Sequence, residues 1–432
     1  MEKYSSYKDS GVEWIGEIPY NWGLKNLKLS FNIEKGKLPK GLTDVNIGNL
    51  LPYLSMEVLR GGSPKEYSPL EDGVFIEKDE IGIVWDGSNS GEIIKINQNG
   101  ILSSTVSKLS SNDKNIEDNY SFYLLKYYET DFRLNTIGMG IPHMDGNRLR
   151  YTKILIPPLP EQQQIVSFLD TKTTLIDTLI EKTQRKIELL KEQRTSLINH
   201  IVTKGINPNV EMKDSGVEWI GEIPEHWCFI PLKNICYMKG RIGWKGLKQE
   251  EFLDDGKYLL ITGQDIKNDI IDWSKCYHIS KERYDESPEI MLKKQDLLFT
   301  KDGTIGKTLL IESLPKPTSL NSHLLVIRPL SDKYISKFLQ YNFKTTQFLV
   351  YVEHQKTGTT FYGVSQDTMM NYKGVFPPLS EQQQIVEYLD KKTNLIDTTI
   401  SREQKRIELL KEYRQSLISN VITGKIKVSN YE

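Results

Sequence analysis

The residues of this chain best suited to chemistry are short basic loops rich in glycine, hydroxyl and amide groups. KGKLPKG gathers Lys35, Lys37 and Lys40, and KGRIGWKGLK gathers Lys239, Arg241, Lys245 and Lys248 around Trp244. Ammonium and guanidinium groups hold phosphates, planar and amide groups read base edges, and glycine lets a backbone come close. A second stretch, residues 85–91 (WDGSNSG), offers Ser88 and Asn89, and 301–307 (KDGTIGK) offers Lys301, Thr304 and Lys307 in the matching place. A third, residues 138–143 (GMGIPH), brings His143 just before Arg148 and Arg150; its counterpart, 356–362 (KTGTTFY), brings Lys356, Thr359, Thr360 and Tyr362. Each stretch also has a plainer reading, as a solvated basic loop, an ordinary hairpin turn or, for His143 and His354, a structural histidine. Together they suit a polyanion with planar bases.

Other chemistries fit less well. Cys228, Cys236 and Cys276 form no CxxC pair, which speaks against a zinc site or disulfide framework and suits a reducing cytoplasm. The run from Lys301 to Thr308 ends in GKT, but only two residues separate its glycines where a phosphate loop needs four. No apolar run approaches the roughly 20 residues of a membrane span, and the N-terminus has no apolar signal core. Formal net charge is only -1. Segment 23–156 carries 16 basic against 17 acidic residues and segment 228–376 carries 21 against 17, so phosphate binding must come from local clustering.

What positions these loops is written twice. KDSGVEWIGEIP at 8–19 returns unchanged at 213–224, followed by Trp22 and Trp227. PPLPEQQQIVSFLD at 157–170 returns as PPLSEQQQIVEYLD at 377–390. Trp14, Trp22, Trp219 and Trp227 read as packing anchors; being identical, they cannot tell two ligands apart. The segments between differ in sequence, and both read as mixed α/β, with strands such as 80–85 and 296–300 and helices such as 120–128 and 333–343.

After each Pro-Pro the period turns helical. One stripe carries Val166, Thr173, Ile180, Ile187, Arg194 and Ile201, and the adjoining one Leu169, Ile176, Thr183, Leu190 and Leu197. Val386, Thr393, Ile400, Ile407, Arg414 and Val421, with Leu389, Ile396, Glu403, Leu410 and Leu417, repeat the pattern. Such a seam needs a partner, and antiparallel pairing of the two copies supplies one, with packing on the globular segments as the alternative. About 40 helical residues would reach roughly 60 Å. Ser380 with Gln383 suggests a capping box, where the first copy has Pro160, and a break is expected near Asp170–Thr174 and Asp390–Asn394. Gly205 and Gly424 stand where helix C-caps belong. The expected layout is 1–156, a central helix region 157–206, 207–376 and a C-terminal helix region 377–432. The fold class is α+β: two α/β recognition domains separated by a pair of long antiparallel helices, with an internal pseudo-two-fold repeat.

The doubled DSGVEWIGEIP…W motif, the doubled PPLxEQQQIV…LD block and the helix endings IVTKG and VITGK resemble the specificity subunit of Type I restriction–modification systems. The resemblance covers the whole chain. It implies that 23–156 and 228–376 are target-recognition domains, each reading one half of a split, asymmetric double-stranded DNA sequence. It further implies a non-catalytic chain that docks two modification subunits carrying adenine N6-methylation and, through them, restriction subunits. S-adenosylmethionine, ATP and magnesium would belong to those partners, with no cofactor, metal or membrane for this chain. No Asn/Asp-Pro-Pro-Tyr/Phe methyltransferase motif occurs, since Ile156 and Phe376 precede the two Pro pairs. Rival readings are a stand-alone tandem DNA-binding regulator, a magnesium-dependent nuclease hidden in the variable segments, and a coiled-coil adaptor.

Overall fold

The computed structural model describes residues 3–217, 220–242, 246–267, 269–356 and 363–428. The chain divides into two units, residues 1–183 with 405–432, and residues 184–404. Each unit therefore contains one variable segment together with a stretch of both duplicated helices.

In the first unit the identical motif forms a hairpin, Tyr7–Asp9 against Glu17–Pro19. The variable segment opens on strand Gly23–Asn26 and closes on Lys153–Ile156, and these two pair antiparallel, so its ends are tied together. Between them lie two four-stranded sheets. One is antiparallel, in the order Phe31–Lys35, Val106–Ser111, Ile81–Val84, Ile93–Lys95. The other is mixed, with Leu51–Leu54 parallel to Gly100–Leu102. Ile81–Val84 is buried throughout, which is why its sequence shows no polar alternation.

The second unit repeats this plan, with the same hairpin motif and unrelated residues in the variable segment. Met212–Asp214 pairs with Glu222–Pro224, and Cys228–Pro231 with Lys373–Phe376. An antiparallel sheet runs Cys236–Gly240, Leu324–Pro329, Leu297–Thr300, Thr308–Leu310. Tyr258–Ile261 lies parallel to Thr318–Leu320 in a three-stranded sheet.

Trp22 and Trp227 are each 1% exposed and sit in the core of their own unit, as expected of anchors. Trp14 departs from that reading. It is half exposed and lies over Tyr127 and Tyr128, ring centroids 6.2 and 5.5 Å away. Trp219 lies outside the described residues.

The duplicated helices run Leu159–Lys204 and Leu379–Ile422. Every seam position named from the sequence is buried or half-buried. Their pairing is antiparallel. In the first unit Arg414 makes a two-pronged ion pair with Asp177, Nε–Oδ1 2.9 Å and Nη2–Oδ2 3.1 Å. In the second unit Arg194 does the same with Asp397, at 2.8 and 3.1 Å. Lys186 adds a bond to the buried Glu403 at 2.5 Å.

Two local expectations are corrected. Ser380 does not cap its helix: the Glu381 and Gln382 amides donate to the Pro378 carbonyl at 3.0 and 2.9 Å, and Ser380 falls inside the first turn, as Pro160 does. Neither helix breaks after Asp170 or Asp390. The polar groups there serve tertiary bonds instead of caps. Tyr123 donates to Asp170 at 2.6 Å beside Thr173, and Tyr341 donates to Asp390 at 2.6 Å beside Thr393. Gly205 and Gly424 take left-handed φ of 80° and 69° at the helix ends.

Candidate nucleic-acid interface

The turn after the central strand organises the first unit's candidate residues. Asp86, in the Asp-Gly of that turn, accepts from Lys35 Nζ at 2.9 Å and lies 2.7 Å from His143 Nδ1. The backbone is stitched too: Gly87 N donates to Pro142 O at 2.9 Å and Met144 N to Trp85 O at 2.7 Å. Three loops far apart in sequence therefore meet at one carboxylate. Partial burial pushes the Asp86 carboxyl up, but the bonds from His143 and Lys35 outweigh it and hold the group below its ordinary range. Lys35 also reaches over the Trp85 ring, 5.7 Å from its centroid.

Around this junction Lys37, Lys40, Ser88 and Arg150 are exposed and Asn89 is half-buried. Arg148 is spoken for. Its Nε lies 3.0 Å from Asp131 Oδ2 and its Nη2 bonds the other oxygen, a pairing that raises the guanidinium's pKa further. Arg148 and Arg150 ride on the short helix Gly146–Tyr151, whose N-terminus Asp145 caps.

The second unit builds an equivalent junction differently. Lys301 N donates to His323 O at 3.0 Å, as Trp85 N donates to Thr105 O at 2.7 Å, and Val364 N donates to Lys301 O at 2.7 Å. Asp302 thus stands where Asp86 stands. It also bonds a histidine Nδ1, but from His323, at the position of Thr105. Lys301 lies 4.0 Å from Asp302, and Lys307 Nζ is held by the Gly263 carbonyl at 3.0 Å. Thr304 is exposed, and its carbonyl accepts from Thr300 Oγ1 at 2.6 Å. The phosphate-loop look-alike is a hairpin between Leu297–Thr300 and Thr308–Leu310, with a strand where a nucleotide-binding loop would open a helix. Beside it a cleft is lined by Thr262, Gln264, Asn321, His323, Phe252 and Tyr277.

Arg241 is misassigned as a surface contact. It is 3% exposed, and its Nε and Nη2 donate to Leu320 O and Ser319 Oγ, both at 3.0 Å, while burial lowers its pKa. It ties the strand Cys236–Gly240 to the neighbouring sheet. Lys239 and Lys248 are exposed, the latter opening the turn Gln249–Glu251; Lys356 is paired with Glu353 at 2.5 Å. Trp244, Lys245, Thr359, Thr360 and Tyr362 lie outside the described residues. Sequence reasoning passed over Asp86 and Asp302 because acidic groups repel phosphates, and His323 because it lies outside the three basic stretches. The Asp-Gly shared by two otherwise dissimilar turns was the available signal.

It also passed over the purpose of the repeated glutamines. Gln162 is buried and gives Nε2 to Asn115 O and Pro157 O at 2.7 and 2.8 Å while accepting from Glu117 N at 2.8 Å. Gln382 repeats this with Lys333 O, Pro377 O and Ile335 N at 2.9, 2.8 and 2.9 Å. One side chain thus fixes each long helix to the helix of its variable segment.

Comparison with known proteins agrees with this doubled plan. The model of the Type I restriction modification DNA specificity domain matches residues 19–189 and again 224–410. The chain is 30% identical over 419 residues to the Type I restriction enzyme MjaVIII specificity subunit of Methanocaldococcus jannaschii, covering 96% of this chain and 95% of that protein. Against the Type I restriction enzyme EcoBI specificity subunit of Escherichia coli it is 21% identical, covering 97% and 89%. In fold it is similar to a chain from a structure addressing complex assembly and conformational transition of the type I R-M system, with TM-score 0.71, 17% identity and 95% and 99% coverage. It also resembles the HsdS subunit from Thermoanaerobacter tengcongensis, with TM-score 0.50, 16% identity and 95% and 98% coverage. A chain that carries this domain twice, around two copies of one frame, belongs to the family of Type I restriction–modification DNA specificity subunits.

Proposed function

We propose that this chain reads a bipartite, asymmetric DNA target, one half-site per unit, and docks two adenine N6-methyltransferase subunits, with restriction subunits joining through them. The observation that carries this reading is the junction built twice on one backbone plan, around Asp86 and around Asp302, with different side chains on each. A common frame with unlike loops is what two different half-sites require. The exposed Lys37, Lys40 and Arg150 in one unit and Lys239 and Lys248 in the other supply phosphate contacts.

The helices support a reading with two equivalent docking sites. Leu175 and Leu409 are 55% and 52% exposed in the first unit, and Leu189 and Leu395 are 49% and 65% exposed in the second. These leucines occupy matching places in the two repeats, so one partner surface fits both. Chemistry, with S-adenosylmethionine, ATP and magnesium, belongs to the partners, and the assembly works in the cytoplasm. The paired helices act as a ruler: adding one heptad to both should lengthen the unread gap between half-sites.

Exchanging 23–156 for the segment of another specificity subunit and mapping N6-methyladenine genome-wide tests the reading. One half-site should change and the other persist. Change in both, or methylation that does not depend on this chain, would sink it. Purification with modification subunits at a ratio other than 1:2 would dispose of the two-site arrangement.

A further inference from the structure

The first unit carries a finger that the basic loops do not explain. Ile137 and His143 close a narrow hairpin, N–H to O at 2.9 and 2.8 Å in both directions. Gly138 enters it at φ 108°, where an added Cβ would sit 2.6 Å from Ile141 O, so only glycine permits the turn. The finger is held at its base by Asp86 and by the Gly87 N to Pro142 O bond. Its outer side chains are Ile137, Met139 and Ile141, at 55%, 109% and 62% exposure.

Three largely exposed apolar side chains on a braced hairpin cost hydration, and Met139, fully exposed, returns nothing to the fold. Their surroundings indicate what covers them. Lys35 and His143 stand at the base, and exposed Lys37 and Arg150 lie on the segments joined there. Of the nearby carboxylates, Asp86 and Asp131 are each engaged by a cation or an imidazole, and Asp145 accepts from the backbone amides of Asn147 and Arg148. A basic rim around an apolar tip suits a ligand that is anionic outside and apolar inside. In the major groove of DNA the apolar feature is the thymine 5-methyl group, and a two-stranded ribbon fits that groove.

We propose that the Ile137–His143 finger enters the major groove and buries Met139 against thymine methyl groups of the half-site read by the first unit. This rests on the proposed function, which also supplies the ligand: a half-site containing an adenine to be methylated contains an A·T pair. The glycines on either side of Met139 let its thioether stand clear of the backbone and reach the groove floor. The second unit's counterpart, KTGTTFY, is polar and aromatic, so the preference belongs to one half-site alone.

The test uses the full complex with its modification subunits and duplexes bearing the mapped target, with each thymine replaced singly by deoxyuridine. The wild-type complex should lose about four-fold in affinity at one or two positions of the first half-site, the factor one buried methylene contributes. Met139→Ala should bind the thymine duplex more weakly and no longer distinguish uracil from thymine there, with the second half-site untouched. Sequence-dependent binding without thymine sensitivity, or Met139→Ala retaining that sensitivity, overturns the finger alone. Loss of modification subunits from Met139→Ala would make the tip a protein contact and overturns it too. Wild-type binding without any sequence preference overturns the underlying function and the finger with it. Met139 touches nothing in the fold, so an unchanged melting temperature checks that the variant is folded.

Discussion

In the first unit the histidine at the central turn comes from a loop that also raises an apolar finger; in the second it comes from a strand connection, beside a polar and aromatic cleft. The carboxylate, the Asp-Gly turn and the stitching amides are common to both. Backbone bonds set the junction, and the side chains delivered to it are free to vary. That division lets one frame present unlike surfaces without refolding its core.

The comparison breaks most readily at the shared anchors. Trp22→Ala and Trp227→Ala should each cost roughly 3–5 kcal/mol, and hydrogen exchange should show the loss confined to the unit that carries the change. Spreading of either loss through the whole chain would refute two separate cores. Next come Gln162→Leu and Gln382→Leu. Each leaves buried carbonyls and an amide without partners, for about 1–3 kcal/mol, and unequal losses in denaturant melts would mean that the repeats use this side chain differently.

Smaller effects sharpen the contrast at the surface. Lys37→Ala should lower the slope of log affinity against log salt by about 0.9, the share of one phosphate contact; an unchanged slope places Lys37 off the DNA. Double-mutant cycles on Asp177–Arg414 and Asp397–Arg194 should give equal couplings of about 0.2–1 kcal/mol, since both carboxylates are half exposed. Last, the Asp86 tie is strongest with the carboxylate ionised. Its pKa in the folded protein lies below the unfolded value, so the stabilisation is full above the ordinary carboxylate range and fades as pH falls through the lowered value. Exchange protection at residues 137–143 should therefore hold from pH 7 down into that acid range, and loss near neutrality would point to another group.

The frame was largely legible because it is written twice. The seam from Val166 to Ile201, its copy, the buried Trp22 and Trp227 and the glycine ends all follow from period and identity. Local capping was misjudged at Ser380 because a proline carbonyl had already taken the amides, and helix breaks were expected at Asp170 and Thr173 because their tertiary partner, Tyr123, lies about fifty residues away in sequence. At the interface, charge counting found Lys35 and Lys37 yet also selected Arg241, which the fold buries against two serines and a carbonyl. Composition cannot tell a guanidinium that faces solvent from one that staples two sheets. Nor could it show that Lys35, Asp86 and His143 converge, because that depends on strand order.

The two-pronged ion pairs join Asp177 to Arg414 and Asp397 to Arg194, and Arg414 and Asp397 are themselves the repeat copies of Arg194 and Asp177. Either repeat alone therefore owns both the acid and the base needed to clasp a twin of itself. In this clasp the molecule is equivalent to two copies of one helix carrying unlike loops.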